Sequence, residues 1–282
     1  MKGKNRGWIR VLLIIIPYFI IVSIFQVLGM YLAGKDLMDL TIPDTPVQRL
    51  IGTFFATLGT ILILWIFMKY VDKEKFVNLG LQFKNRKVDF IVGIGLGILV
   101  MGIGYGLLLL LNEISFDKLV FEPVGILISV ALFTCVAVME EFLFRGYILR
   151  NLMISFNKYI ALILSSILFS LIHGMNPNMD GFSAMSLFLA GILLGITYIY
   201  TKNLWFPIAL HLSWNLFQSL FGFNVSGQDF YSLIEFKIQE NNVLNGGAFG
   251  MEGSIISIIA NVLIIGGVII YYNKNKVSLN EN

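Results

Sequence analysis

The sequence predicts an all-α, polytopic membrane protein with eight transmembrane helices and both termini in the cytoplasm. The 282 residues are 57% hydrophobic and 13% charged, with a mean hydropathy of +0.82. Soluble domains are less apolar and carry about 25% charged residues. The apolar residues also stand in blocks of about twenty, the length that crosses a bilayer core. These observations favour a single integral membrane domain over the whole chain, 1–282.

The eight apolar blocks are separated by short polar connections. As spans they cover approximately 8–32, 47–69, 89–111, 123–148, 158–174, 183–201, 204–222 and 253–272. The first block is too long for the core of a signal peptide, so we expect it to be retained as a span. The segment 223–252 is the longest predicted connection, and its mixed polar and aromatic composition suits either a partly helical lid or an external loop.

The positions of lysine and arginine orient these spans, because cytoplasmic connections are enriched in both. The residues of the predicted cytoplasmic side are Lys2, Lys4, Arg6, Arg10, Lys69, Lys73, Lys75, Lys84, Arg86, Lys87, Arg145, Arg150, Lys158, Lys202, Lys274 and Lys276. The alternating connections are poor in these residues and richer in Asp and Glu. Both termini are therefore predicted to be cytoplasmic.

The glycine spacing and the single cysteine limit how the helices can be held together. Glycines four residues apart let two membrane helices approach closely, and this spacing occurs at Gly93/Gly97, Gly102/Gly106 and Gly191/Gly195. The single cysteine, Cys135, excludes an internal disulfide and any cysteine-based metal cluster.

The stretch from Met139 to Arg145 is the most unusual part of the chain, because two carboxylates follow an uncharged apolar run. One acidic residue at the centre of a membrane helix costs about 2.5–3.5 kcal/mol on insertion scales, so such residues are functional candidates. Glu141 and Arg145 are four residues apart and share a helical face. Glu140 points about 100° away from Glu141 and is left to act as a base on water. The alternative is a structural ion-pair cluster at the cytoplasmic interface.

The two histidines of the chain lie in two later apolar blocks. His173 follows Phe169 by four residues, and His211 precedes Asn215 by four, so each pair shares a face. Asn215 could orient the His211 imidazole or donate to a developing oxyanion. From the predicted helix ends, we expect all of these residues to meet in the cytoplasmic half of the membrane.

These residues allow three kinds of chemistry. Glu140 and His173 could activate a water for peptide hydrolysis while His211 and Asn215 stabilise an oxyanion. Glu140, His173 and His211 could instead bind Zn²⁺ with one open position. A proton relay in a transporter is the third reading. The HExxH signature of the common zinc proteases is absent from the sequence.

The motifs Glu140-Glu141-x-x-x-Arg145, Phe169-x-x-x-His173 and His211-x-x-x-Asn215, in this order, resemble those of the CAAX protease and bacteriocin-processing family. The resemblance covers about residues 123–220, which would form the catalytic core. It implies an intramembrane peptidase with eight spans.

The resemblance also implies roles for the motif residues. Glu140 and His173 would activate the water, and His211 and Asn215 would form the oxyanion site. Glu141, Arg145 and Phe169 would be supporting residues. Members of the family have been described both with and without a metal, and this sequence leaves that open, including a divalent metal such as zinc.

The expected substrate is a peptide or membrane protein, with membrane lipid as the surroundings, no nucleic-acid partner and the cell membrane as the location. The short connections are typical of a prokaryotic member, for which prenylated substrates are not expected. The alternative function is a non-catalytic membrane scaffold or a bacteriocin-immunity protein that binds a partner through the same polar site.

Overall fold

A computed structural model describes residues 6–39 and 41–280, with residues 275–280 described by their backbone alone. Lys2 and Lys4, which contribute to the predicted orientation, lie outside the described residues, and so does the Lys276 side chain. The α-helices of the described residues are α1 (Gly7–Leu32), α2 (Pro46–Ile66), α3 (Lys87–Leu110), α4 (Pro123–Glu141), α5 (Arg150–Ser155), α6 (Lys158–Ile172), α7 (Gly181–Thr201), α8 (Trp205–Leu220) and α9 (Ile255–Asn280). The polytopic all-α membrane fold is confirmed.

Two helices continue in a wider turn. A π-helical segment, Phe67–Asp72, extends α2, and a second one, Phe142–Leu149, joins α4 to α5. Short 3₁₀ turns occupy Phe76–Leu79, His173–Met175, Gly247–Phe249 and Met251–Gly253. The segment 142–149 is buried at all eight positions, and it begins directly after the paired glutamates.

Within the described residues, seven helices are long and apolar enough to cross a membrane. The remaining predicted span, the seventh (204–222), corresponds to α8, which has only 16 residues. At 1.5 Å per residue it is about 24 Å long, shorter than the roughly 30 Å of a bilayer core. Most of its residues are buried inside the bundle, including His211 and Asn215. It is therefore an interior helix flanked by longer ones.

The Lys/Arg-rich connections meet at one end of the bundle. Arg10 in α1 pairs with Asp72 at 2.8 Å, and Arg150 in α5 pairs with Glu74. The stacked rings of Tyr200 and Tyr272, 4.6 Å between centroids, bring the ends of α7 and α9 together. This grouping agrees with the alternation of charges from which the orientation was predicted.

The opposite end carries a small sheet that the sequence analysis missed. Strands β1 (Ile114–Leu119) and β2 (Ile234–Ile238) pair antiparallel, with a bulge between Phe116 and Lys118. Since the two strands have only six and five residues, their alternation is too weak to stand out among apolar blocks. The sheet ties the connection 221–254 to the connection after α3.

Glycine packing fixes α3 against α8. A Cβ added at Gly93 would lie 2.8 Å from the Cβ of Ala209, and one at Gly97 would overlap Ser213 Oγ. The prediction of close packing is therefore confirmed here. It is also confirmed at Gly191 and Gly195, which pack on Ser166 and Leu162 of α6. It is wrong for Gly102 and Gly106, where a Cβ would meet nothing within 4 Å.

Candidate active site

Glu140 and Glu141 are the last two residues of α4, at the point where the helix widens into the π-helical segment. Single π-helical turns occur often at functional sites. The two carboxylates point in different directions, as their 100° offset predicts. The Glu141 side chain is fully buried, whereas that of Glu140 is 18% exposed and faces a cavity.

Glu141 is the centre of a closed, buried network. Its Oε1 accepts from Arg145 Nη1 at 2.8 Å and from His211 Nδ1 at 2.8 Å. Arg145, which is 1% exposed, also donates to the carbonyl of Gly191 at 3.2 Å. The pairing of Glu141 with Arg145 agrees with the four-residue spacing. The contact with His211, seventy residues away, joins α4 to α8.

The Phe169 ring lies close to the cation of this network and to both histidines. The Arg145 guanidinium lies over it, 4.4 Å from the centroid, which is the geometry of a cation–π contact. The rings of His173 and His211 lie 4.7 and 6.3 Å from the same centroid. Phe169 is thus a buried packing residue of the site, 3% exposed.

The orientation of His173 is set by the backbone of its own helix. Its Nδ1 lies 2.7 Å from the carbonyl oxygen of Phe169. A carbonyl only accepts hydrogen bonds, so Nδ1 carries the proton and Nε2 presents a lone pair in the neutral ring. The same reasoning applies to His211, whose Nδ1 donates to the Glu141 carboxylate.

Three hydrogen-bond acceptors therefore converge, namely Glu140 Oε2 and the Nε2 atoms of His173 and His211. The buried Glu140 Oε2 has no hydrogen-bond partner in the described residues. It lies 3.7 Å from His173 Nε2 and 3.9 Å from His211 Nε2. Both distances exceed the roughly 3.2 Å limit of a direct hydrogen bond and suit one small donor between the groups.

The same three residues were considered as zinc ligands. Two imidazole nitrogens and a carboxylate are donor types that zinc takes. However, no group of three or more His, Cys, Asp and Glu side chains in the described part of the chain is arranged to hold a metal ion. The zinc set therefore stays a prediction for these three residues.

Asn215 lines the same cavity as Glu140, His173 and His211, so all four predicted catalytic positions are brought together. The cavity has a volume of about 520 Å³. Asn215 was considered as a partner that orients His211. Among the described residues it is Glu141 that holds the His211 ring, which leaves the Asn215 amide facing the cavity.

The site residues lie at different distances from the ends of their helices. His173 follows the last residue of α6, so it stands at the end of that helix opposite to Lys158. His211 lies six residues after Trp205, the first residue of α8, and therefore near the end of that helix next to Lys202. The placement of the site in the cytoplasmic half stays a prediction.

Sequence reasoning also missed residues of the cavity wall. Glu252 belongs to the predicted connection 223–252, and Asn261 belongs to the last span. Ser257, one helical turn before Asn261, lines the cavity as well. A single glutamate between Met251 and Gly253 and a single asparagine in an apolar block carry no motif, so no signal in the sequence marked them.

The chain was compared with known proteins. The family model described as type II CAAX prenyl endopeptidase Rce1-like matches residues 122–217. The curated proteins and the solved structures that were searched contain no match. The matched stretch holds all three motifs and the helices α4 to α8 that carry them. The match supports the resemblance of this stretch to the CAAX protease and bacteriocin-processing family.

Proposed function

We propose that this protein is an intramembrane endopeptidase in which Glu140, assisted by His173, activates a water molecule. The observation that carries the proposal is the convergence of Glu140 Oε2 with two imidazole Nε2 atoms, at 3.7 and 3.9 Å, inside a cavity of the bundle. The family match adds that the substrate is a peptide or protein. The cell membrane is the proposed location.

The acceptors on Glu140 and His173 are suited to hold a water by its two hydrogens. As the water oxygen bonds to the substrate carbonyl carbon, one proton passes to Glu140 and an electron pair moves to the carbonyl oxygen. When the carbon–nitrogen bond breaks, the proton held by Glu140 passes to the leaving nitrogen. His173 keeps the water aligned because its own ring is fixed by the Phe169 carbonyl.

The developing oxyanion needs donors. The Asn215 amide faces the cavity and is the neutral donor in this proposal. His211 can donate from Nε2 only when that atom carries a proton. The carboxylate of Glu141 at its Nδ1 would compensate the resulting positive charge. The proposed catalytic core is 123–220 within one membrane domain.

The test compares purified wild type with Glu140→Ala on membranes of the host cell, with new peptide termini identified by mass spectrometry. Termini that appear with wild type and are missing with Glu140→Ala would support the endopeptidase and name its substrate. Glu122→Gln is the matched control, because Glu122 is an exposed carboxylate at the start of the same helix. If folded wild type yields no new termini, the proposal fails and a binding scaffold or immunity protein replaces it.

A further inference from the structure

Glu252 is a buried carboxylate that the mechanism above does not use. It lies in the 3₁₀ turn just before α9 and is 8% exposed. Its Oε2 accepts from the backbone N–H of Ser226 at 3.0 Å and from the Ser226 hydroxyl at 2.7 Å. Both bonds fall on one oxygen, so the carboxylate is held in a fixed orientation while lining the cavity that Glu140 also lines.

The fixed charges on the cavity wall are unbalanced. The lining includes the carboxylates of Asp44, Glu140 and Glu252 and the guanidinium of Arg49. Asp44 is paired with Lys35 at 2.9 Å. In the described residues, neither Glu140 nor Glu252 forms an ion pair with a lysine or arginine side chain.

Arg49 is already engaged at the edge of the cavity. It donates to the carbonyl of Asp229 at 2.7 Å, and its guanidinium lies 5.5 Å from the centroid of the Phe230 ring. These contacts hold it against the connection 221–254. The inner wall therefore presents negative charge without a lysine or arginine partner.

One neutral group of the wall also lacks a hydrogen-bond donor. Asn261 is completely buried and lines the cavity, and its Oδ1 has no hydrogen-bond partner among the described residues. Its amide nitrogen is turned toward Ser257 Oγ at 3.5 Å. A buried acceptor without a partner is costly, and it points to an occupant that donates.

Burial raises the pKa of the Glu252 carboxyl above its usual value. Burial disfavours the ionised form, while the hydrogen bonds from Ser226 and the charge interactions with His173 and His211 partly offset this effect. A positive charge next to the carboxylate would favour the ionised form. A cationic occupant therefore satisfies both the charge and the hydrogen-bond deficit of this wall.

We propose that Glu252 is the specificity-determining residue of a subsite that takes a lysine or arginine side chain of the peptide substrate. This inference rests on the endopeptidase function proposed above and names its substrate class. An ammonium or guanidinium group has three or five N–H donors and no acceptor, which matches a wall of acceptors. The cavity volume of about 520 Å³ lies within the range of pockets that enclose a drug-sized ligand, which is large enough for one lysine or arginine side chain.

The test measures binding in a background without turnover. Full-length Glu140→Gln in detergent micelles is titrated with fluorescein-labelled apolar peptides that differ at one scanned position, which is lysine, norleucine or glutamate. At one position, the lysine peptide is expected to bind about tenfold or more tightly than the norleucine peptide. Adding Glu252→Gln is expected to bring this affinity ratio close to one.

Asp44→Asn is the matched control, because it removes a carboxylate from the same cavity where that carboxylate already has a lysine partner. It should leave the lysine-to-norleucine ratio in place. The proposal is overturned if the parent shows no preference, if no peptide binds, if Glu252→Gln keeps the preference, or if Asp44→Asn removes it equally. Thermal unfolding of each variant checks that it is folded.

A second variant covers the case in which Glu252→Gln does not fold. Ser226→Ala keeps the carboxylate and removes its hydroxyl donor, so the affinity ratio should fall only part of the way. Cleavage of the same peptides by wild type is scored separately. A preference without cleavage would retain the subsite and overturn the endopeptidase, whereas cleavage without a preference would overturn the subsite alone.

Discussion

Glu140 and Glu141 are neighbours in the chain but occupy opposite kinds of surroundings. Glu141 is fully buried, and its Oε1 carries the bonds of Arg145 and His211, both at 2.8 Å. Glu140 is partly exposed to the cavity, and its Oε2 lies 3.7 and 3.9 Å from two imidazole nitrogens. The difference teaches that a closed ion-pair network can hold the geometry while the adjacent carboxylate stays free for chemistry.

The largest expected effect is the loss of stability when the buried network around Glu141 is broken. Arg145→Met would leave the Glu141 carboxylate buried with only His211 as its partner, and breaking a buried pair costs about 3–5 kcal/mol of stability. Chemical unfolding in detergent should show this loss. The double variant Glu141→Gln/Arg145→Met removes both charges and should recover a large part of it, since the two residues are coupled. Equal and additive losses would contradict the closed network.

The next effect is a loss of turnover when a residue that lines the cavity is changed. Asn215→Ala should lower kcat by about 10²–10³-fold, as the loss of one oxyanion donor does elsewhere. KM and the unfolding midpoint should change little, because the Asn215 amide faces the cavity. Steady-state kinetics on a substrate identified from the new termini checks this. A large rise in KM with unchanged kcat would assign Asn215 to substrate binding instead.

The smallest effect tests the scaffold that holds His211. Gly97→Ala would place a methyl group against Ser213 of α8, two residues after His211. Overpacking of this kind costs about 1–3 kcal/mol. Gly95→Ala is the matched control, since a Cβ there meets nothing within 4 Å. Unfolding midpoints should fall for Gly97→Ala and stay or rise for Gly95→Ala, and equal midpoints would contradict the packing.

Helix periodicity made the contacts between residues four positions apart predictable. The four-residue spacing of Glu141 and Arg145 led directly to their ion pair. The same rule placed Phe169 with His173, although the contact proved to be Nδ1 bound to a backbone carbonyl. Local spacing therefore predicts contacts within a helix, because a single helix brings such residues together without tertiary structure.

Contacts between distant segments could not be predicted in this way. The bond between Glu141 and His211 depends on how α4 packs on α8, and no spacing encodes that. Glu252 reaches the cavity only because the connection 221–254 folds back over it. Helix length also misled the analysis, since the apolar block 204–222 looked like a full span but forms a helix of 16 residues.

The account gives Glu140 a catalytic role and Glu141 a structural one. The most direct test compares Glu140→Gln with Glu141→Gln in one preparation, measuring turnover and the unfolding midpoint of each. Glu140→Gln should lose about 10³-fold or more of its turnover and keep its midpoint, because the general base is removed from an open position. Glu141→Gln should lose midpoint, because a buried arginine is left without its charge partner. Equal losses of midpoint with unchanged turnover in Glu140→Gln would contradict the account and leave both glutamates as structural ion-pair residues.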